Sequence, residues 1–160
     1  MLWLSVAYAE SAKVLSTSML EDDFSRTHEN VLAILHLCRH SLELYFKGAI
    51  GYTREEIPRN SHRLSYLFDR FKLLYPSPEY LPELPFDEEV FRTDDFFPES
   101  LEPFHRTHDQ RFRYPSDTKG QPFDAFRPYD VDEKAELIAK FWQSLVIIVL
   151  EITGRERADV

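Results

Sequence analysis

Apolar side chains recur at helical spacing through residues 31–49, VLAILHLCRHSLELYFKGA. Val31, Leu35, Cys38, Leu42, Tyr45 and Ala49 step by alternating fours and threes, which puts all six on one stripe of a helix. At about 100° per residue, His36, His40, Glu43 and Lys47 fall on nearly the opposite side, with Arg39 beside them. Ala33, Leu37 and Leu44 flank that polar seam on one edge, and Leu32, Phe46 and Ile50 on the other. A narrow polar seam in a mostly apolar cylinder predicts a helix with neighbours on several sides. The seam is then either a strip of solvent or the wall of a site, because charged groups are costly to desolvate unpaired.

Other stretches carry the same period. Residues 2–19 predict a first helix with Leu4, Ala7, Tyr8, Ser11, Leu15 and Ser18 or Met19 sharing a face. Ser25 or Thr27 is placed to cap the second helix, and Gly51 to end it in a left-handed conformation. Residues 61–74 predict a third helix, capped by Asn60 or Ser61, with His62 in its first turn. Leu64, Leu67, Phe68, Phe71 and Leu74 form its apolar face, and Tyr75-Pro76 stops it. Asp130 or Asp132 caps a last helix whose apolar residues cover more than one face and which Gly154 ends. Trp3 and Trp142 read as core or interface residues.

Between the third and last helices the pattern breaks. Nine of the ten prolines lie in 76–128, so no long helix crosses it. Its first part, 76–102, is acidic with Arg92 its one base, yet it holds Tyr80, Phe86, Phe91, Phe96 and Phe97. Such rings predict packing on the helices rather than a free linker. The expected architecture is all-α: a four-to-five-helix up-down bundle in one domain, 1–160, with a long irregular Pro-rich insertion at about 76–128.

Composition narrows the function. Nineteen basic against twenty-eight acidic side chains give −9 at neutral pH, which argues against general nucleic-acid binding without excluding a local basic patch. The single cysteine, Cys38, sits on the apolar stripe, excludes an internal disulfide and reads as a buried inert thiol. No run approaches a membrane span, and the N-terminal residues lack a basic region, so no signal peptide is expected and the chain reads as cytoplasmic.

Three groups carry candidate chemistry. Arg39, His40 and Lys47 suit an anion, with Glu43–Lys47 otherwise a helical ion pair on a solvated face. His36 and His40 with His62 or a carboxylate would suit a metal, but Lys47 argues against one, and no metal or cofactor is expected. His105, Arg106, His108, Arg111, Arg113 and Tyr114 form a basic, ring-bearing stretch suited to phosphate forks and base stacking. It serves equally to neutralise the acidic segment just upstream. His62 either takes part in a site or simply holds a local partner.

The order of these pieces resembles the HEPN domain superfamily. The resemblance is carried by His36, Arg39, His40, Glu43, Lys47 and Gly48 in the second helix, by Asn60-Ser61-His62-Arg63-Leu64 at the start of the third, and by Arg113-Tyr114-Pro115 before the last. It implies a small helical bundle that binds a nucleotide, RNA or a protein partner, commonly as a homodimer, in a toxin–antitoxin or defence setting. Ribonuclease members carry an Arg, then a polar residue, then a His, with four to six residues intervening between the Arg and the His. Arg39, Arg54, Arg59 and Arg106 all lack a His at that distance. The resemblance therefore implies a non-catalytic or divergent member. The alternatives are a divergent metal-independent ribonuclease using His62 and one Arg of 106–113, and a metal-binding bundle enzyme.

Overall fold

The computed structural model describes residues 1–22, 28–55, 62–85 and 131–154. Among them are four α-helices and no strand: α1 (Leu2–Glu21), α2 (His28–Tyr52), α3 (Leu64–Leu74) and α4 (Val131–Thr153). A single 3-10 turn, Pro78–Tyr80, follows α3. None of the four helices is long and apolar enough to cross a membrane.

α1 packs along both α2 and α4, and α3 packs on α2. Leu2 lies against Gly48, and the Ser41 hydroxyl donates to the Ser5 carbonyl at 2.7 Å, so α1 and α2 run antiparallel. α2 and α4 share a direction, with Met19, Val31 and Ile138 in one buried cluster and Leu2, Ala49 and Val149 in the other. α3 departs from a simple up-down course. Its contacts with α2 advance in the same sense: His62 meets Glu43, Phe68 and Phe71 meet Phe46, and Tyr75 meets Ala49.

The main core gathers Leu42, Tyr45, Phe46, Ala49 and Ile50 of α2 with Leu64, Leu67, Phe68 and Phe71 of α3 and Phe141, Leu145, Ile148 and Val149 of α4. The apolar stripe of α2 is buried as its spacing predicts, except that Leu35 is only half-buried and Ile34 is fully buried. Tilted ring pairs among Tyr45, Phe46, Phe68 and Phe71, with centroids 5.1–5.7 Å apart, add contact energy beyond their buried area.

The packed face of α1 is not the expected one. Leu2, Ser5, Val6, Ala9, Ala12, Ser16 and Met19 are buried, while Leu4, Ala7 and Ser11 are exposed. α1 is apolar on both faces, so spacing alone does not choose between them. Close approach does: the buried face carries small residues that let α1 lie near two helices at once. Its serines are satisfied internally, Ser5 donating to Leu2 O at 2.6 Å and Ser16 to Lys13 O at 3.0 Å. Gly48 serves the same approach. A Cβ there would stand 2.9 Å from the Leu2 side chain and from its backbone nitrogen.

The helix ends differ from expectation in two places. α2 runs through Gly51 to Tyr52, and the left-handed residue is Arg54, with φ 64°. Three-residue hydrogen bonds, Thr53 N to Ile50 O and Arg54 N to Gly51 O, tighten the last turn and carry the reversal past the glycine. α3 starts later than its pattern suggests. Arg63 is its N-cap with no side-chain cap bond, so His62 lies before the helix rather than in its first turn. Gly154, at φ 60°, ends α4 as expected. The side chains of the expected caps Ser25, Thr27, Asn60, Ser61, Asp130 and Asp132 lie outside the described residues.

The described start of the Pro-rich insertion packs on the bundle. Tyr75, Tyr80, Leu81 and Leu84 cover the main core, the Tyr45 hydroxyl donates to the Tyr80 carbonyl, and Glu83 N donates to Ser144 Oγ at 2.9 Å. Residues 86–128 lie outside the described residues.

Candidate functional site

Arg39, Glu43 and Lys47 follow one another at four-residue intervals, so α2 stacks them along a single line. Glu43 is the hub. Its Oε2 accepts from Arg39 Nη1 at 3.3 Å, and its Oε1 accepts from Lys47 Nζ at 2.7 Å and meets His62 Nδ1 at 2.8 Å. The second arm of the guanidinium, Nη2, donates to the His62 carbonyl at 2.8 Å. Arg39 therefore ties the chain entering α3 to α2, and His62 is held by both its backbone and its ring.

The seam is no strip of solvent at this level. Arg39 and Glu43 are only 3% and 4% exposed, whereas the His62 side chain is 72% exposed. Burial pushes the Glu43 carboxyl up, but hydrogen bonds from Lys47 and His62 and the charges of Lys47 and Arg39 outweigh it and leave the group below its ordinary range. Glu43 is thus ionised at neutral pH. Among the described residues two basic side chains, Arg39 and Lys47, converge on this one carboxylate.

His40 does not join this cluster. One residue, about 100°, round the helix from Arg39, it lies edge-on to Tyr8 of α1 with centroids 4.6 Å apart. Its ring also stacks on His36 at 5.9 Å. Among the described residues no three or more His, Cys, Asp or Glu are grouped to hold a metal. Arg106, His108, Arg111, Arg113 and Tyr114 lie outside the described residues, as does His105.

The pattern along the chain did not indicate a second feature. Lys47 also lines a cleft of about 560 Å³ where α1 begins and α2 and α4 end, walled further by Trp3, Gly48, Gly51, Tyr52 and Thr153. Trp3 is 41% exposed there and not a core residue, while Trp142 does pack on the core. The signal in the sequence was faint: glycines three apart on α2, next to the lysine of the seam.

No family model, curated protein or solved structure matches the chain. What the arrangement can do is set by its chemistry. An ionised carboxylate only accepts, so a neutral His62 carries its proton on Nδ1. Nε2, on the far side of the ring, then points away from Glu43 as a bare acceptor, and in the imidazolium form as a donor. A carboxylate holding an imidazole by Nδ1 fixes both its tautomer and its orientation.

Proposed function

We propose that this is a divergent HEPN-like bundle that binds an anionic, nucleotide- or RNA-like ligand at the edge formed by Arg39, Glu43, Lys47 and His62. The observation that carries this reading is the buried carboxylate shared by three nitrogenous side chains, with the exposed His62 ring at its rim. Glu43 serves as the organiser. It holds Lys47 and His62 in place before a ligand arrives, which lowers the ordering cost of binding. Fluorescence anisotropy with a short labelled single-stranded RNA tests the reading. Binding is expected to weaken with salt and to fall about tenfold in Lys47→Met and in His62→Ala. Binding unaltered in both variants would sink it.

A second reading, a metal-independent ribonuclease, is favoured by the Glu43–His62 contact. His62 Nε2 would take the proton of a ribose 2′-hydroxyl as that oxygen attacks the adjacent phosphorus; the bond from phosphorus to the 5′-oxygen breaks, leaving a 2′,3′-cyclic phosphate, and the departing 5′-oxygen takes a proton from water. Cleavage of RNA in the presence of a chelator, abolished in His62→Ala and strongly slowed in Glu43→Gln, is the expected result. Cleavage retained in His62→Ala removes this reading.

The same family reading has two copies pairing. Leu4 and Val14 stay exposed on the side of α1 away from its buried residues and support it. Sedimentation showing a monomer at all working concentrations would contradict it.

A further inference from the structure

Lys47 faces two ways. Its ammonium donates to Glu43, and its side chain also lines the cleft at the end of the bundle. The cleft volume, about 560 Å³, falls within the range of small-molecule pockets. Two of its walls are aromatic, and both are left in solvent, Trp3 at 41% and Tyr52 at 53% exposure. Large rings of this kind are normally drawn into the core, as Tyr45, Phe46, Phe71 and Phe141 are here. Exposed π faces at a cleft are surfaces on which a flat ring can stack. Gly51 contributes only backbone to the wall, so a ring can come close to α2 there.

The charge is one-sided. Among the described lining residues Lys47 is the one charged side chain, and none of them carries a carboxylate. Among the described residues Glu43 takes one of the three N–H donors of the ammonium. A ligand entering the cleft thus meets two aromatic side chains and a cation already held in position.

We propose that this cleft binds a small planar ring bearing one anionic group, the ring against Trp3 and Tyr52 and the anion at Lys47. The anionic end of this site rests on the binding reading given above; the ring end does not. A nucleoside monophosphate and an aromatic carboxylate share this chemistry.

Isothermal titration of the full chain with AMP, indole-3-acetate, adenosine and inorganic phosphate separates the contributions. At least one of the two ring-bearing anions is expected to bind, with adenosine and phosphate about tenfold weaker or worse. AMP ahead of indole-3-acetate assigns a nucleotide, and the reverse assigns an aromatic carboxylate. Trp3→Ala and Tyr52→Ala should each weaken the ring-bearing anion by about fivefold or more, the usual effect of losing a stacked ring. Trp3→Phe, which keeps a ring, should retain most of the affinity and so shows that loss in Trp3→Ala is not misfolding. Lys47→Met should weaken the ring-bearing anion about tenfold and leave adenosine unchanged.

Absence of binding by both ring-bearing anions overturns the cleft proposal, as does binding unchanged in Trp3→Ala and Tyr52→Ala. If RNA binding still depends on His62 in either case, the cluster reading stands without the cleft. Binding that needs Trp3 but ignores Lys47→Met overturns the anionic end, and the cluster reading loses its support at Lys47.

Discussion

Replacing Glu43 by leucine removes the carboxylate that Arg39 meets among the described residues, and Arg39 is 3% exposed. The guanidinium keeps the His62 carbonyl as an acceptor at 2.8 Å but loses its ion pair with Glu43. Removing one partner of a buried pair costs about 3–5 kcal/mol. The surviving carbonyl bond puts this case near the lower end, at about 3 kcal/mol. Arg39→Leu is milder. Glu43 then still has Lys47 at 2.7 Å and His62 at 2.8 Å, and the main loss is the donor to the His62 carbonyl. One unmade bond of that kind costs about 1–2 kcal/mol. In Arg39→Leu/Glu43→Leu no uncompensated guanidinium remains and leucine side chains fill part of the space. The double variant should therefore lie well below the sum of the singles, with a coupling of about 2 kcal/mol.

Urea denaturation followed by circular dichroism reads all four proteins, with the midpoints compared at constant slope. For a chain of this size, 3 kcal/mol corresponds to a fall in melting temperature of roughly 6–12 °C. His62→Ala is the control and should shift stability by less than about 1 kcal/mol, because its ring is 72% exposed. Equal effects of the two single variants, with a double variant that is simply additive, would refute the assignment of Glu43 as the hub.

Four further outcomes follow from the same contacts. The folded Glu43 carboxyl holds fewer protons than the unfolded one, so its contribution is present above its ordinary value of 4.5 and is lost as the pH falls through the lower folded value; the stability gap between the parent and Glu43→Gln should shrink steadily below about pH 4.5. Gly48→Ala should destabilise by about 1–3 kcal/mol in a thermal melt, since the new methyl meets Leu2 backbone at 2.9 Å and overrides the gain in helix propensity. Burial pushes the Cys38 thiol up to about 12, so a thiol reagent at pH 8 should label it only at the rate of unfolding, and rapid labelling of the native protein would contradict its place in the core. Arg54→Gly should stabilise by about 1 kcal/mol in urea, because Arg54 occupies a left-handed conformation that glycine adopts without cost.

The sequence by itself determined the helical class. Apolar spacing marked α2, α3 and α4 because each has a face rich in large side chains, and period alone locates such a face. It also placed Gly154 at the end of α4 and, of the insertion's rings, Tyr80 on the bundle. Only the tertiary structure decided which face of α1 is buried. Both faces are apolar, and the choice rests on how closely Ala9, Ala12 and Ser5 let two other helices approach. Only the tertiary structure, too, converted a seam of charges on one helix into a hub. Residues 39, 43 and 47 share a line by period, but their burial and the arrival of His62 depend on how α3 crosses α2. The cleft at Lys47 has the same origin, for its walls come from three helices whose ends meet only in the folded chain.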